Sequence, residues 1–152
     1  MNFKQWLLSE TDLAGFFQKT QQNQADILNR IGNIEVDNVV TRPDPQAKTL
    51  LFTGRIRGSQ GDMYVTKLLF RNISYMTGMW SPNDYHLQGP DGKEYHFERL
   101  GYRDTDVEPS CTCIQFIRAK ARGGVCKHVI KLAQYLKEKR VLVKQQAPSS
   151  PF

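Results

Sequence analysis

Apolar and polar positions change their spacing along the chain, and the changes predict the elements. Over residues 2–31, Leu13, Phe16, Phe17, Ile27, Leu28 and Ile31 fall near helical spacing, which predicts an amphipathic helix. The run QKTQQNQ between them holds no apolar residue, so the helix there is expected to be either exposed or broken. Ser9 and Thr11 are both candidate N-caps, so the helix is expected in two pieces; Glu10 and Asp12 suit a first turn, and Gly32-Asn33 is a stop signal. The stripe is expected to pack on a sheet or a second copy, with partner binding as the alternative.

From Ile34 the pattern becomes that of strands. Ile34, Val36, Val39 and Val40 are β-branched, and TRPDPQ with its two prolines reads as a loop. TLLFTGRIR and DMYVTKLLFRNI then form a hairpin about Gly58-Ser59-Gln60-Gly61. Leu50, Phe52 and Ile56 share one parity in the first run, and Tyr64, Leu68 and Phe70 share one in the second, as one-sided burial requires. Arg55, Arg57, Lys67 and Arg71 take the other side. Tyr75, Met76, Met79 and Trp80 follow in a loop that either plugs a core or offers a stacking surface for bases. A second hairpin turns at Pro90-Asp91-Gly92, placing His86 and His96 on the parity opposite Tyr85, Leu87, Tyr95 and Phe97. The two histidines alone are too few donors for a metal and read as polar-face residues.

The acidic link DTDVEPS leads into the only stretch with cysteines. Cys111, Cys113, Cys126 and His128 form C-x-C, twelve residues, then C-x-H. Three thiolates and one imidazole are the closed tetrahedral set that one structural zinc ion takes. Buried thiols would be scattered rather than clustered, and a disulfide would leave one cysteine over. Reduced thiols with an incidental histidine remain the alternative. Gly123-Gly124 permits a sharp turn into a helix carrying Val129, Leu132, Ala133 and Leu136 as its apolar stripe. If residues 117–122 are extended, Arg118, Lys120 and Arg122 line one side. Beyond Val143 no packing signal remains.

These residues carry a resemblance. The C-T-C, the Arg122-Gly123-Gly124 ahead of C-K-H and the following apolar helix resemble a SWIM-type zinc finger, over residues 95–138. The resemblance implies a short β-hairpin and a helix around one zinc ion, held by Cys111, Cys113, Cys126 and His128, with a role in binding DNA or other proteins. Ile114-Gln115-Phe116 stands where many members have a proline or an acidic residue.

Composition narrows the classes. The chain has 152 residues, 39% hydrophobic and 11% aromatic, enough for one domain with a packed core. No apolar run has the length of a membrane span, and MNFKQWLLSETDL meets acids too early for a secretory signal. The expected location is intracellular, cytoplasmic or nuclear, where grouped cysteines bind metal more often than they pair. The net charge of +6 is unevenly placed: residues 118–144 hold nine lysines and arginines against the single acid Glu138. That asymmetry points to nucleic acid, DNA ahead of RNA, or to an acidic protein partner. No glycine-rich phosphate loop or nucleophile motif is found, and a full zinc shell leaves no open position, so an enzyme is not expected.

The reading is therefore an α+β protein. It comprises an N-terminal helical segment (1–33), an antiparallel β scaffold of hairpins (34–100), a zinc-binding ββα finger (101–140) and a disordered tail (141–152). The expected function is non-enzymatic nucleic-acid binding through Arg118, Lys120, Arg122, Lys127 and Lys131. The alternative is a protein-interaction adaptor, or an accessory subunit in a recombination or transcription complex.

Overall fold

The computed structural model describes residues 3–9, 11–13, 29–58, 60–76, 79, 85–88, 92–101, 103–114, 116, 126–139, 141 and 143–144. Their strands form two four-stranded sheets joined by antiparallel pairs, with few helices, an α+β architecture. The first sheet has the order β1 (Glu35–Asp44), β2 (Thr49–Arg57), β3 (Met63–Phe70), β7 (Val107–Cys111). The second has the order β4 (Ile73–Met76), β6 (Glu94–Leu100), β5 (Tyr85–Gln88), β8 (Val143–Lys144).

Alternation sets the buried face. In β2, Leu50, Phe52, Gly54 and Ile56 are buried; in β3 the buried residues are Thr66, Leu68 and Phe70. The register pairs Leu50 with Phe70, Phe52 with Leu68 and Gly54 with Thr66, which puts both sets on one face. Arg55, Arg57, Lys67 and Arg71 are exposed, as their parity requires. The hairpin turn is closed by Gly58 N–H donating to Asp62 O at 2.8 Å, and Gly61 takes φ +89°, a conformation that glycine adopts without a Cβ penalty.

Two segments behave differently from their sequence signals. Residues 41–44, expected in a loop, continue β1, and Pro43 pairs with Leu50. The DTDVEPS link makes a 3-10 turn at Asp104–Asp106 and then becomes β7, with Pro109 opposite Leu68. Both prolines sit on the outer strands of the first sheet, where a missing N–H removes no ladder bond from a central strand. Asp106 fixes the entry to β7: it is buried, and its carboxylate accepts from Asn72 Nδ2 and Arg103 N–H, each at 2.9 Å.

Helix α2 (Lys127–Glu138) covers the buried face of this sheet. Val129, Leu132, Ala133 and Leu136 are all at most 2% exposed, the stripe expected from the sequence. At Gly54 a Cβ would lie 2.8 Å from Leu132 Cδ1; the absent side chain lets Leu132 settle on β2. Short helix α1 (Phe3–Leu7) buries Trp6 completely. Lys137 of α2 donates from Nζ to Trp6 O (2.6 Å) and Ser9 O (2.7 Å), with Nζ 4.7 Å from the Trp6 ring centroid. Burial holds its ammonium below the usual lysine range. This lysine therefore satisfies carbonyls at the end of α1 instead of adding to a basic surface.

Residues 29–32 are helical and Leu13 is helical; the stretch between them, where most of the expected N-terminal helix falls, lies outside the described residues. Val141 packs against the core and Val143–Lys144 pair with β5, so the expected tail is ordered at its start. Tyr75 acts as a plug: it donates from its hydroxyl to Thr49 O at 2.6 Å and meets the Phe97 ring edge-on at 5.6 Å. Met79 is exposed and Trp80 lies outside the described residues.

Leu132→Asp is expected to cost about 3–5 kcal/mol, because it places an unpaired carboxylate at the contact with Gly54. Lys131→Ala, on the outer side of the same helix, is expected to leave the thermal midpoint nearly unchanged. Equal melting of the two variants would refute the helix register.

Candidate metal centre

Three elements converge at the end of the first sheet. β7 ends on Cys111, whose register partner is Thr66 of β3. The chain then bends, with Phe116 N–H donating to Cys113 O and to Cys113 Sγ, each at 3.3 Å. Cys126 is the N-cap of α2, with extended backbone (φ −79°, ψ 167°), and His128 follows in the first turn. Cys113, Cys126 and His128 are buried, and Cys111 is half-buried.

One ligand atom from each of the four residues lies within 4.8 Å of the others. His128 Nδ1 is 3.8 Å from Cys111 Sγ and 4.0 Å from Cys126 Sγ. With zinc–sulfur bonds of about 2.3 Å and zinc–nitrogen bonds of about 2.0–2.1 Å, a tetrahedral site has S···N edges of roughly 3.6 Å and S···S edges of roughly 3.8 Å. The two S···N edges from His128 thus need a contraction of only a few tenths of an ångström, and no pair of donors is more than 4.8 Å apart. The donors, three sulfurs and one imidazole, suit zinc.

The electrostatics point the same way. Cys111 is held well below the ordinary thiol range, first by the hydrogen bond from Cys126, then by His128 and Thr66, against the opposing effect of burial. Cys126 is pushed up, first because it donates that bond and then by burial; Cys113 is pushed up chiefly by burial. Backbone amides favour the charged form at each sulfur, Cys113's at Cys111, Phe116's at Cys113 and Val129's at Cys126. Without a cation the three sulfurs oppose one another, one held low and two pushed up, although each is provided with a donor for its thiolate. A divalent cation is the group that would let all three ionise.

Two neighbours of the cluster carry no sequence signal. Thr66 is fully buried with its hydroxyl 3.3 Å from Cys111 Sγ, and the Tyr64 ring lies 4.4 Å from the His128 ring at 32°. Both come from β3: its pairing with β7 brings Thr66 to Cys111, and the packing of α2 on it brings Tyr64 to His128. The Tyr64 ring restricts the imidazole plane and Thr66 orients a sulfur, the positioning role of groups around metal ligands. His128 Nε2 is buried without a hydrogen-bond partner among the described residues.

Of the five cations expected at a nucleic-acid surface, Lys127 and Lys131 are partly exposed on α2. Arg118, Lys120 and Arg122 lie outside the described residues. Lys127 also lines a cleft of about 200 Å³ beside the cluster, with Tyr64, Asp62, Ile114 and His128.

Protein prepared under reducing, metal-replete conditions is expected to hold one tightly bound zinc per chain at these four residues. Because ligand assembly contributes on the order of 10 kcal/mol in small zinc modules, chelation or Cys113→Ser should cost the order of α2 and β7; an absence of retained zinc would refute the assignment. A pH series gives a second check. Cys113 and Cys126 have raised pKa values and enter the site protonated at neutral pH, so binding must expel both protons. Zinc affinity should therefore fall at least about a hundredfold for each unit of pH lowered in that range, and more where loss of order in the metal-free chain returns Cys111 to an ordinary thiol; a pH-independent affinity would contradict it.

No protein family, curated protein or solved structure matches this chain. What the geometry establishes is a Cys3His cluster, Cys111, Cys113, Cys126 and His128, close enough to bind a metal ion and compatible with a zinc finger.

Proposed function

We propose that this chain is a non-enzymatic, zinc-stabilised nucleic-acid-binding protein of the cell interior, and that its C-terminal part works as a SWIM-like finger of ββα form. The observation that carries this reading is the placement of α2. The helix begins on two of the metal ligands, buries its apolar stripe on the sheet, and keeps Lys127 and Lys131 partly exposed away from that stripe. Cations near the helix start are thereby tied to the same point as the cysteines. Arg118, Lys120 and Arg122 lie in sequence between Cys113 and Cys126, so the chain tethers them to the cluster from both sides.

Four protein ligands fill a tetrahedral zinc, as in structural sites. Three thiolates outweigh the two positive charges of the ion and leave the centre at about −1. Attraction for phosphate must therefore come from the side chains around it. Lysine and arginine bind phosphate with release of condensed counterions, and this mode is insensitive to sequence.

Five such contacts should give a slope of about −4 to −5 in log affinity against log salt on duplex DNA. Each alanine substitution at Arg118, Lys120, Arg122, Lys127 or Lys131 should reduce its magnitude by about one, with similar losses on unrelated sequences. A fivefold alanine variant that stays folded with zinc bound, yet binds DNA and RNA as the parent does, would remove the site from these residues. A parent that binds neither at low salt would leave the acidic protein partner as the reading.

A further inference from the structure

We propose that His86, Glu94 and His96 form a second metal site, open to solvent, that takes a divalent first-row transition ion. The inference is independent of nucleic-acid binding and of the cysteine cluster, since these residues belong to the other sheet.

Its geometry follows from strand periodicity. Glu94 and His96 are two apart on β6 and so share a face, while His86 of β5 is the direct register partner of His96. The opposite face of the same strands is apolar, with Tyr85 stacked on Phe97 at 5.9 Å. The two imidazoles stand side by side with centroids 5.0 Å apart and planes 27° from parallel. Glu94 faces both: Oε1 is 3.2 Å from His86 Nε2, and Oε2 is 3.7 Å from His96 Nε2. One ligand atom from each of the three lies within 4.8 Å of the other two.

A carboxylate simply bridging two imidazoles by hydrogen bonds accounts for this less well. His86 Nε2 is buried and 3.2 Å from an acceptor oxygen, yet it forms no hydrogen bond among the described residues. The two atoms are near but not aligned on each other. Donor atoms that aim at a common ion are arranged in this way, because each lone pair points to a third position. For nitrogen and oxygen ligands at about 2.1 Å, the edge of a tetrahedral site is roughly 3.4 Å, between the two N···O separations.

His96 is buried, His86 is half-buried and Glu94 is exposed, so the site has a fixed base and an open mouth. Imidazole and carboxylate donors suit zinc, cobalt, nickel and iron rather than a thiophilic ion. Three protein ligands leave at least one position for water or for an oxygen of a partner, unlike the filled cysteine site.

Cobalt(II) titrated into zinc-loaded full-length protein is the test. The expected result is one further equivalent per chain with visible d–d absorption and without the near-ultraviolet thiolate-to-cobalt band, which assigns it to nitrogen and oxygen donors. His86→Gln and Glu94→Gln change side chains that reach solvent and should leave the zinc content and the circular dichroism intact. Each should weaken the second equivalent at least tenfold. No second equivalent at millimolar cobalt, or one that survives both substitutions, would overturn the proposal.

Discussion

The fold depends on closing the gap between Cys113 and Cys126. Twelve residues separate them in sequence, and bringing the ends of such a segment together costs chain entropy that no strand ladder among the described residues offsets. The compensating interaction lies at the ends themselves, where three sulfurs and Nδ1 of His128 gather within 4.8 Å. This gathering fastens the outer edge of the first sheet, through β7, to the first turn of α2. The apolar stripe of α2 is then held over β2, where the lack of a side chain at Gly54 admits Leu132. The cluster and the hydrophobic face are two supports for one docking event.

Strand parity was the most legible part of the chain. Leu50, Phe52 and Ile56, and opposite them Leu68 and Phe70, lie inside, and the arginines and lysines between them lie outside. A period of two leaves no other choice once one face is buried. The outer strands were harder to read because each contains a proline. Pro43 and Pro109 look like punctuation, yet both occupy edge strands where their missing donor faces no neighbour. Whether a strand lies at an edge is a property of the assembled sheet, and the local sequence does not carry it. Lys137 teaches a related lesson. In sequence it belongs to a basic run; in space its ammonium satisfies the carbonyls of Trp6 and Ser9, more than a hundred positions away.

The clustering of Cys111, Cys113, Cys126 and His128 was legible for a physical reason. Chelation requires particular atoms, so residue type and spacing survive as a pattern however the surrounding chain folds. The groups around the ligands leave no such trace. Thr66 reaches Cys111 through the pairing of β3 with β7, and Tyr64 reaches His128 through the packing of α2 on β3. The second cluster is an intermediate case. The shared parity of His86 and His96 was visible, but Glu94 completes the set by standing two residues before His96. That alternation is so common in strands that it attracts notice only once the register places His86 opposite.

The two donor sets stand in opposite relation to the fold. Cys111 and Cys113 on one side, and Cys126 and His128 on the other, belong to elements joined by no backbone ladder among the described residues, so an ion there would reinforce a contact that otherwise rests on apolar packing alone. His86, Glu94 and His96 sit on a hairpin already fixed by its own ladder and by the Tyr85–Phe97 stack on its other face. An ion there adds little order, and for the same reason the hairpin can lose it without unfolding. The soft, enclosed set is therefore suited to permanent occupation and the harder, open set to exchange. Thiolate donors would hold zinc against an imidazole and carboxylate site, so at limiting metal the cysteine cluster would fill first. Any role that depends on the open site would then be confined to protein whose cysteine cluster is already filled.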